Sequence, residues 1–264
     1  MCQSKIAKFY QKDMIMDIFD AYFKNINFDI KTLKDYKKIY VLVSGGFDST
    51  LLAEWISYHY PQKTYFVNCF NPYEKSDVLD FYSGKENFIS IRPKKNDKLN
   101  YGIILKESFL RLPEAFERKK LKNYSKKIFK CCYHFKHKHF YQAKFMKDEG
   151  SVIISGIKRG DGSNRRIWTL QMSRGTNKRN QANGNPTFFH RHNTGFLYCY
   201  PFRDHTTREL GEEIKEILWD KFPTLEHSGC QICPVLVLYN LKREGKRYEK
   251  SMNYAKKLKV IEGD

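Results

Sequence analysis

Two sets of residues in this chain carry chemistry. The first is Ser44-Gly45-Gly46-Phe47-Asp48-Ser49-Thr50, set between a β-branched apolar run, Ile39 to Val43, and a segment where Leu51, Leu52, Trp55 and Ile56 fall at helical spacing. A strand, a glycine turn and a helix start together make an anion site. Glycines let backbone N–H groups approach a phosphate with no Cβ in the way. The first-turn amides are unpaired and the positive end of the helix dipole adds to them. Ser44, Ser49 and Thr50 supply hydroxyl donors. The spacing matches neither Gly-x-x-x-x-Gly-Lys-Ser/Thr nor Gly-x-Gly-x-x-Gly. The competing reading is an ordinary turn with Asp48 as helix N-cap.

The second set is Cys131-Cys132 with Cys230-x-x-Cys233. Two distant thiolate pairs converging on one soft metal is a usual way to build an iron–sulfur or zinc site. Adjacent cysteines crowd one small tetrahedral ion, whereas a cubane offers wider spacing, so four thiolates fit a [4Fe–4S] cluster. Zinc, and redox-active or simply buried thiols, are the alternatives. Cys2, Cys69 and Cys199 read as isolated hydrophobes, with Cys199 the best spare candidate for a reactive thiol.

These residues need a scaffold. Residues 1 to 38 read as one or two helices, because Ile6, Phe9, Tyr10, Met14, Ile18 and Tyr22 make an apolar stripe. Lys63 to Phe70 and Asn87 to Ile91 read as strands with a helix, Glu74 to Phe81, between them. A helical pattern covers Tyr101 to Glu117, and another starts at Lys130 and runs to about Lys147. Ser151 to Ser155 is an apolar strand that stops at Gly156 and a basic turn. Residues 173 to 195 lack periodicity and read as a long, basic, mobile loop, in which Arg174, Lys178, Arg179 and Arg191 would neutralise nucleic-acid phosphates while Phe188, Phe189, His190 and His192 stack on unpaired bases. Phe196 to Phe202 is a short strand. Thr206 or Thr207 caps a helix to about Lys221, and a last basic helix covers Leu236 to Leu258. Strands alternating with helices predict an α/β fold: a doubly wound, mostly parallel sheet with flanking N- and C-terminal helices, binding ligands at strand carboxyl ends. One domain is expected: a helical extension over 1–37, a core over 38–240 and a C-terminal helix over 241–264.

The 264 residues suffice for one substantial core. With 48 Lys+Arg against 29 Asp+Glu, the formal net charge is +19, more than one nucleotide needs, so a larger polyanion is the natural partner. No apolar run reaches membrane-spanning length and no signal-peptide pattern opens the chain, so a soluble, cytoplasmic protein is expected.

Taken in order, several motifs resemble a known family. These are Ser-Gly-Gly-x-Asp-Ser-Thr at 44–50, Cys131-Cys132 with Lys136, and Ser155-Gly156-Ile157-Lys158-Arg159 with Ser163 and Arg165 or Arg166. Tyr200-Pro201-Phe202 before Thr206 and Gly229-Cys230-x-x-Cys233-Pro234 complete the set. Over residues 38 to 240 the chain is similar to the phosphoadenosine phosphosulfate (PAPS) reductase-like family. That family belongs to the PP-loop ATP pyrophosphatases, with an adenine nucleotide α-hydrolase-like fold. Its adenylylsulfate reductases hold a [4Fe–4S] cluster with a double cysteine and a Cys-x-x-Cys. Three departures stand out. No cysteine follows Cys233 to attack a sulfate sulfur. Asn68-Cys69 replaces the acidic residue or threonine often found there. Asp161-Gly162-Ser163 is looser than the usual pair of acids.

The resemblance implies an enzyme that cleaves ATP between its α and β phosphates. The substrate oxygen is adenylylated, and sulfur from a cluster or cysteine then displaces AMP. The nucleotide site would be Ser44, Gly45, Gly46, Asp48, Ser49, Thr50, Gly156, Lys158 and Arg165. Lys136, Lys158, Arg159 and Arg165 or Arg166 would steady the leaving pyrophosphate, and Asp48 would help hold Mg²⁺. Asp48, Lys136 and Arg159 are thus the catalytic candidates, and Cys131, Cys132, Cys230 and Cys233 the metal ligands. The expected substrate is a nucleic acid, tRNA in base thiolation or DNA in phosphorothioation, with a sulfur donor as further partner. A reductase of adenylylsulfate or PAPS is the alternative. A nucleic-acid-binding module with a silent nucleotide site is the second.

Overall fold

A computed structural model describes residues 12–74, 77–92, 100–120, 129, 131, 134, 138–158, 188–191, 195–203, 205, 210–223, 225 and 230–261. Its centre is a six-stranded sheet in the order β3-β2-β1-β4-β6-β5. The strands are β1 (Lys38–Leu42), β2 (Thr64–Cys69), β3 (Phe88–Ile91), β4 (Ser151–Ile154), β5 (Phe189–Arg191) and β6 (Leu197–Cys199). β1 runs parallel to β2, with Ile39 beside Thr64, and parallel to β4, with Lys38 beside Ser151. β4 runs parallel to β6, and β5 closes the edge antiparallel to β6. Ile39, Tyr40 and Val41 in β1, and all of β4, are buried, as inner strands covered on both faces require.

The helices are α1 (Lys12–Asn25), α2 (Phe47–His59), α3 (Asp77–Ser83), α4 (Tyr101–Leu110), α5 (Leu112–Lys120), α6 (Lys138–Gln142), α7 (Glu212–Lys221), α8 (Pro234–Leu238) and α9 (Lys246–Lys257). The expected doubly wound, mostly parallel α/β architecture is present. The chain leaves β1 through α2 to β2 on one side and later places β4 on the other, so the switch point lies between β1 and β4.

The chain forms two compact units, each discontinuous in sequence. The first comprises residues 1–68, 76–89 and 144–226. Its core stacks Phe23 on Trp55 with ring centroids 3.6 Å apart, and Phe202 lies against the same Phe23 ring. The buried Trp55 indole N–H donates to Asp20 at 2.6 Å, so the ring is sequestered without leaving its donor unpaired. The second unit comprises 69–75, 90–143 and 227–264. There α4, α5, α8 and α9 enclose Leu105, Phe109, Leu112, Ala115, Val237, Leu238 and Ala255.

Several elements differ from the sequence expectation. In α1 the buried residues are Met16, Phe19 and Phe23, whereas Met14 is exposed. Of the stripe drawn from the sequence, Ile18 and Tyr22 are half-buried against the same core, while Met14 gives way to the aromatic stack on Trp55; Ile6, Phe9 and Tyr10 lie outside the described residues. The single helix over Tyr101–Glu117 is two, broken at Arg111 with Pro113 in the first turn of α5, where its missing N–H costs nothing. The last helix also divides into α8 and α9, with Gly245 at φ +50° between them. α7 starts at Glu212 behind Gly211, not at Thr206 or Thr207, which lie outside the described residues. Within the expected mobile loop, Phe189–Arg191 is strand β5. Phe189 is buried, His190 half-buried and Arg191 exposed, so exposure rises along this short edge strand. Among the described residues no helix is long and apolar enough to cross a membrane.

Candidate nucleotide site and cysteine centre

In the first unit, the chain leaves β1 at Val43 and turns through Ser44, Gly45 and Gly46 into α2. Gly45 sits at φ +75°, which L side chains resist, so this turn needs its glycine. α2 starts behind Gly46 with no side-chain cap. The loop is braced from within. Ser49 Oγ donates to the Gly46 carbonyl at 2.9 Å and accepts from the Ser44 amide at 3.2 Å. Thr50 is fully buried and its hydroxyl donates to the same carbonyl at 2.9 Å. Thr50 therefore shapes the loop, whereas the sequence placed it among the phosphate donors. Asn68 Nδ2 donates to the Val43 carbonyl at 2.8 Å, tying the end of β2 to the mouth of the turn.

The turn after β4 meets this loop at the switch point. A Cβ at Gly156 would lie 3.2 Å from Asp48 Cβ and 3.4 Å from the Ser49 amide nitrogen. Only glycine lets the two turns approach this closely. Gly156→Ala is therefore expected to shift the loop and cost about 1–3 kcal/mol, an overpacking penalty, with a matching loss at the candidate nucleotide site. Urea unfolding and nucleotide titration would check both. Wild-type behaviour in both would show that the contact is not tight.

That approach brings Lys158 Nζ to Asp48 Oδ1 at 2.8 Å. The pair is lopsided: the Lys158 side chain is 1% exposed and the Asp48 side chain 25%. A cation is thus held under the loop, while its counter-ion opens towards solvent.

Two residues unremarked in the sequence for this role complete the cluster. Tyr22 of α1 hydrogen-bonds through its hydroxyl to His205 Nε2 at 3.1 Å. Burial and then the Asp48 carboxylate push the Tyr22 phenol well above its ordinary range. Burial and then the Lys158 cation push the His205 imidazole below its ordinary value, so it is neutral at pH 7. No local motif announces either residue, because they come from α1 and from the segment after β6. Arg159, Arg165, Arg166 and Ser163 lie outside the described residues, as does Lys136.

A separate cleft of about 960 Å³ in the first unit is lined by residues including Lys12, Glu54, Tyr58, Thr64, Lys85 and Lys221. It contains neither the loop nor Lys158 and reaches the far end of α2, so it is distinct from the candidate nucleotide site.

In the second unit, Cys131 is buried in the core and Cys230 and Cys233 are half-buried. The Cys230–Cys233 turn is clamped from two sides. Asn71 Nδ2 donates to Cys230 Sγ at 3.0 Å, and the Gln231 amide donates to the Tyr73 carbonyl at 2.7 Å. From α9, Arg247 Nε donates to the Cys230 carbonyl at 3.2 Å, and Ser251 Oγ accepts from the Cys233 amide at 2.9 Å. An N–H group on a cysteine sulfur is the outer-shell contact that a metal-bound thiolate also takes. Among the described residues no three His, Cys, Asp or Glu are gathered to hold one metal ion; Cys132 lies outside them.

The spare thiol reads differently. Cys199 is fully buried in the core of the first unit, and burial raises its thiol well above the ordinary value. It is inert, not reactive. The aromatics expected to stack on bases are also occupied. Phe189 stacks on Tyr36 and Phe188 packs edge-on to Phe28. The loop cations Arg174, Lys178 and Arg179, with His192, lie outside the described residues.

No family model matches the chain, and no curated protein matches it. Among solved structures, it is similar to the U34-tRNA thiolase NcsA from Methanococcus maripaludis with its [4Fe-4S] cluster. That likeness has a TM-score of 0.45 at 15% identity, over 97% of this chain and 85% of the other. Likeness at that level assigns neither activity nor substrate to this chain.

Proposed function

We propose that this chain is a PP-loop ATP pyrophosphatase of the PAPS reductase-like kind, which adenylylates a nucleic acid and supports iron–sulfur-dependent sulfur transfer to it. The observation that carries the reading is the Lys158–Asp48 pair, brought across Gly156 onto the uncapped start of α2 at the β1/β4 switch point. A triphosphate needs backbone amides, a fixed cation and a carboxylate for Mg²⁺ in one place, and these residues supply all three.

In this reading the amides of Gly45 and Gly46 and the Ser44 hydroxyl hold the β and γ phosphates, with Ser49 and Thr50 keeping the loop in shape. Asp48 turns its open side to Mg²⁺. Lys158, with Arg159, Arg165 and Lys136, neutralises charge as the bond from the α-phosphorus to its bridging oxygen breaks and pyrophosphate leaves. A substrate oxygen takes the adenylyl group. Cys131, Cys132, Cys230 and Cys233 would hold the [4Fe–4S] cluster, with Asn71 orienting Cys230. When bound, the cluster would hold the sulfur that takes the place of the adenylylated oxygen, which leaves with AMP.

Products decide the matter. Incubation with ATP, Mg²⁺ and tRNA or DNA should yield AMP and pyrophosphate, and chromatography showing ADP and phosphate instead would remove this reading.

A further inference from the structure

Helix α9 presents two faces with different chemistry. Its inner face, Arg247, Ser251 and Ala255, is buried, and two of these residues clamp the Cys230–Cys233 turn. Its outer face carries Lys246, Lys250, Asn253 and Lys257, all exposed and three or four residues apart, so they form one stripe, with exposed Glu249 at its edge as the one acid there. The stripe extends about 16 Å at 1.5 Å per residue. Exposed Lys242 and Arg243 precede it and Lys259 follows.

Residues 239–259 hold 8 Lys and Arg against 2 Glu. One of those acids, Glu244, is committed to the buried Arg247 at 2.8 Å. Among the described residues no ion pair is formed by Lys242, Arg243, Lys246 or Lys257. A solvated helix usually alternates its charges, with acids four residues before bases. This one carries nearly a single sign. The stripe also reaches the cysteine turn itself, because Lys250 Nζ donates to Gln231 Oε1 at 3.4 Å. Gln231 lies between Cys230 and Cys233.

We infer that the outer face of α9 docks the phosphodiester backbone of the nucleic-acid substrate and lays it beside the Cys230–Cys233 turn. This rests on the nucleic-acid part of the function proposed above. Phosphates spaced along one strand meet cations spaced about one helical turn apart, and their counterions are released. Because the same helix holds the cysteine turn through Arg247 and Ser251, a docked backbone is registered against the cysteine centre. The binding face so inferred lies in the second unit.

The test uses the full chain and two probes, fluorescent unfractionated tRNA and a short DNA duplex. One variant combines Lys242→Gln, Arg243→Gln, Lys246→Gln, Lys250→Gln and Lys257→Gln. The other removes equal charge from the first unit through Lys24→Gln, Lys31→Gln, Lys34→Gln, Lys37→Gln and Lys144→Gln. Circular-dichroism melting checks that both fold. The α9 variant should bind at least about tenfold more weakly at low salt, with a log–log salt slope on the duplex shallower by about three to five. The first-unit variant should stay near wild type. A loss confined to the α9 variant supports the surface, and the polymer that shows the larger loss is the one it serves. Equal weakening of both variants, or none in the α9 variant, overturns the surface while leaving nucleic-acid binding intact. No binding by wild type overturns the surface and the nucleic-acid reading together.

Discussion

Replacing Asp48 with asparagine is expected to destabilise the protein by about 3 kcal/mol and to end ATP turnover. Removing one member of a buried ion pair leaves the other charge uncompensated at about 3–5 kcal/mol. The lower end applies here because Asp48 is a quarter exposed while Lys158 is almost wholly buried. The same asymmetry ranks the variants. Lys158→Met leaves behind a carboxylate that water can reach, so it should cost less than Asp48→Asn. The double variant should cost less than the two singles together, because the pair is one interaction. Urea unfolding measures the ranking, and pyrophosphate release measures the activity. Asp48→Asn with wild-type stability would mean the pair is not structural. Turnover in either single variant would remove these residues from the catalytic site.

Cys230→Ser and Cys233→Ser should each lose most of the bound iron, and Cys199→Ser should keep it. The first two thiols share one clamped turn in the second unit, whereas Cys199 is sealed in the core of the first. Iron and sulfide analysis, with a visible band at roughly 400 nm from anaerobic protein, reads the outcome. Melting temperature gives a second readout, since a cluster that binds the folded chain stabilises it. Full iron content in Cys230→Ser or Cys233→Ser would break the ligand assignment, and zinc in place of iron would replace the cluster.

What could be read from residues alone follows the range of the forces involved. The loop at 44–50 was legible because a strand, two glycines and a helix start are decided by neighbours a few residues apart. The order of strands and helices was legible for the same reason. Boundaries slipped where long-range packing chose among local options. Phe19 and Phe23 displaced Met14 from the inner face of α1, because stacking on Trp55 and Phe202 buries more ring surface than a local stripe can. Phe188 and Phe189 were drawn into the core and into β5, although the residues before them lack periodicity.

By itself the sequence determined that a strand–glycine turn–helix start, two cysteine pairs and a large positive charge exist in this protein. Only the tertiary structure decided which residues meet. Lys158 finds Asp48 across 110 positions because β4 lies beside β1 and Gly156 admits the approach. Tyr22 finds His205 across 183 positions, and α9 turns one face to the cysteine turn and the other, basic, outward. Pairing at such separations depends on how helices and strands pack, a global balance of buried surface that no window of neighbouring residues contains.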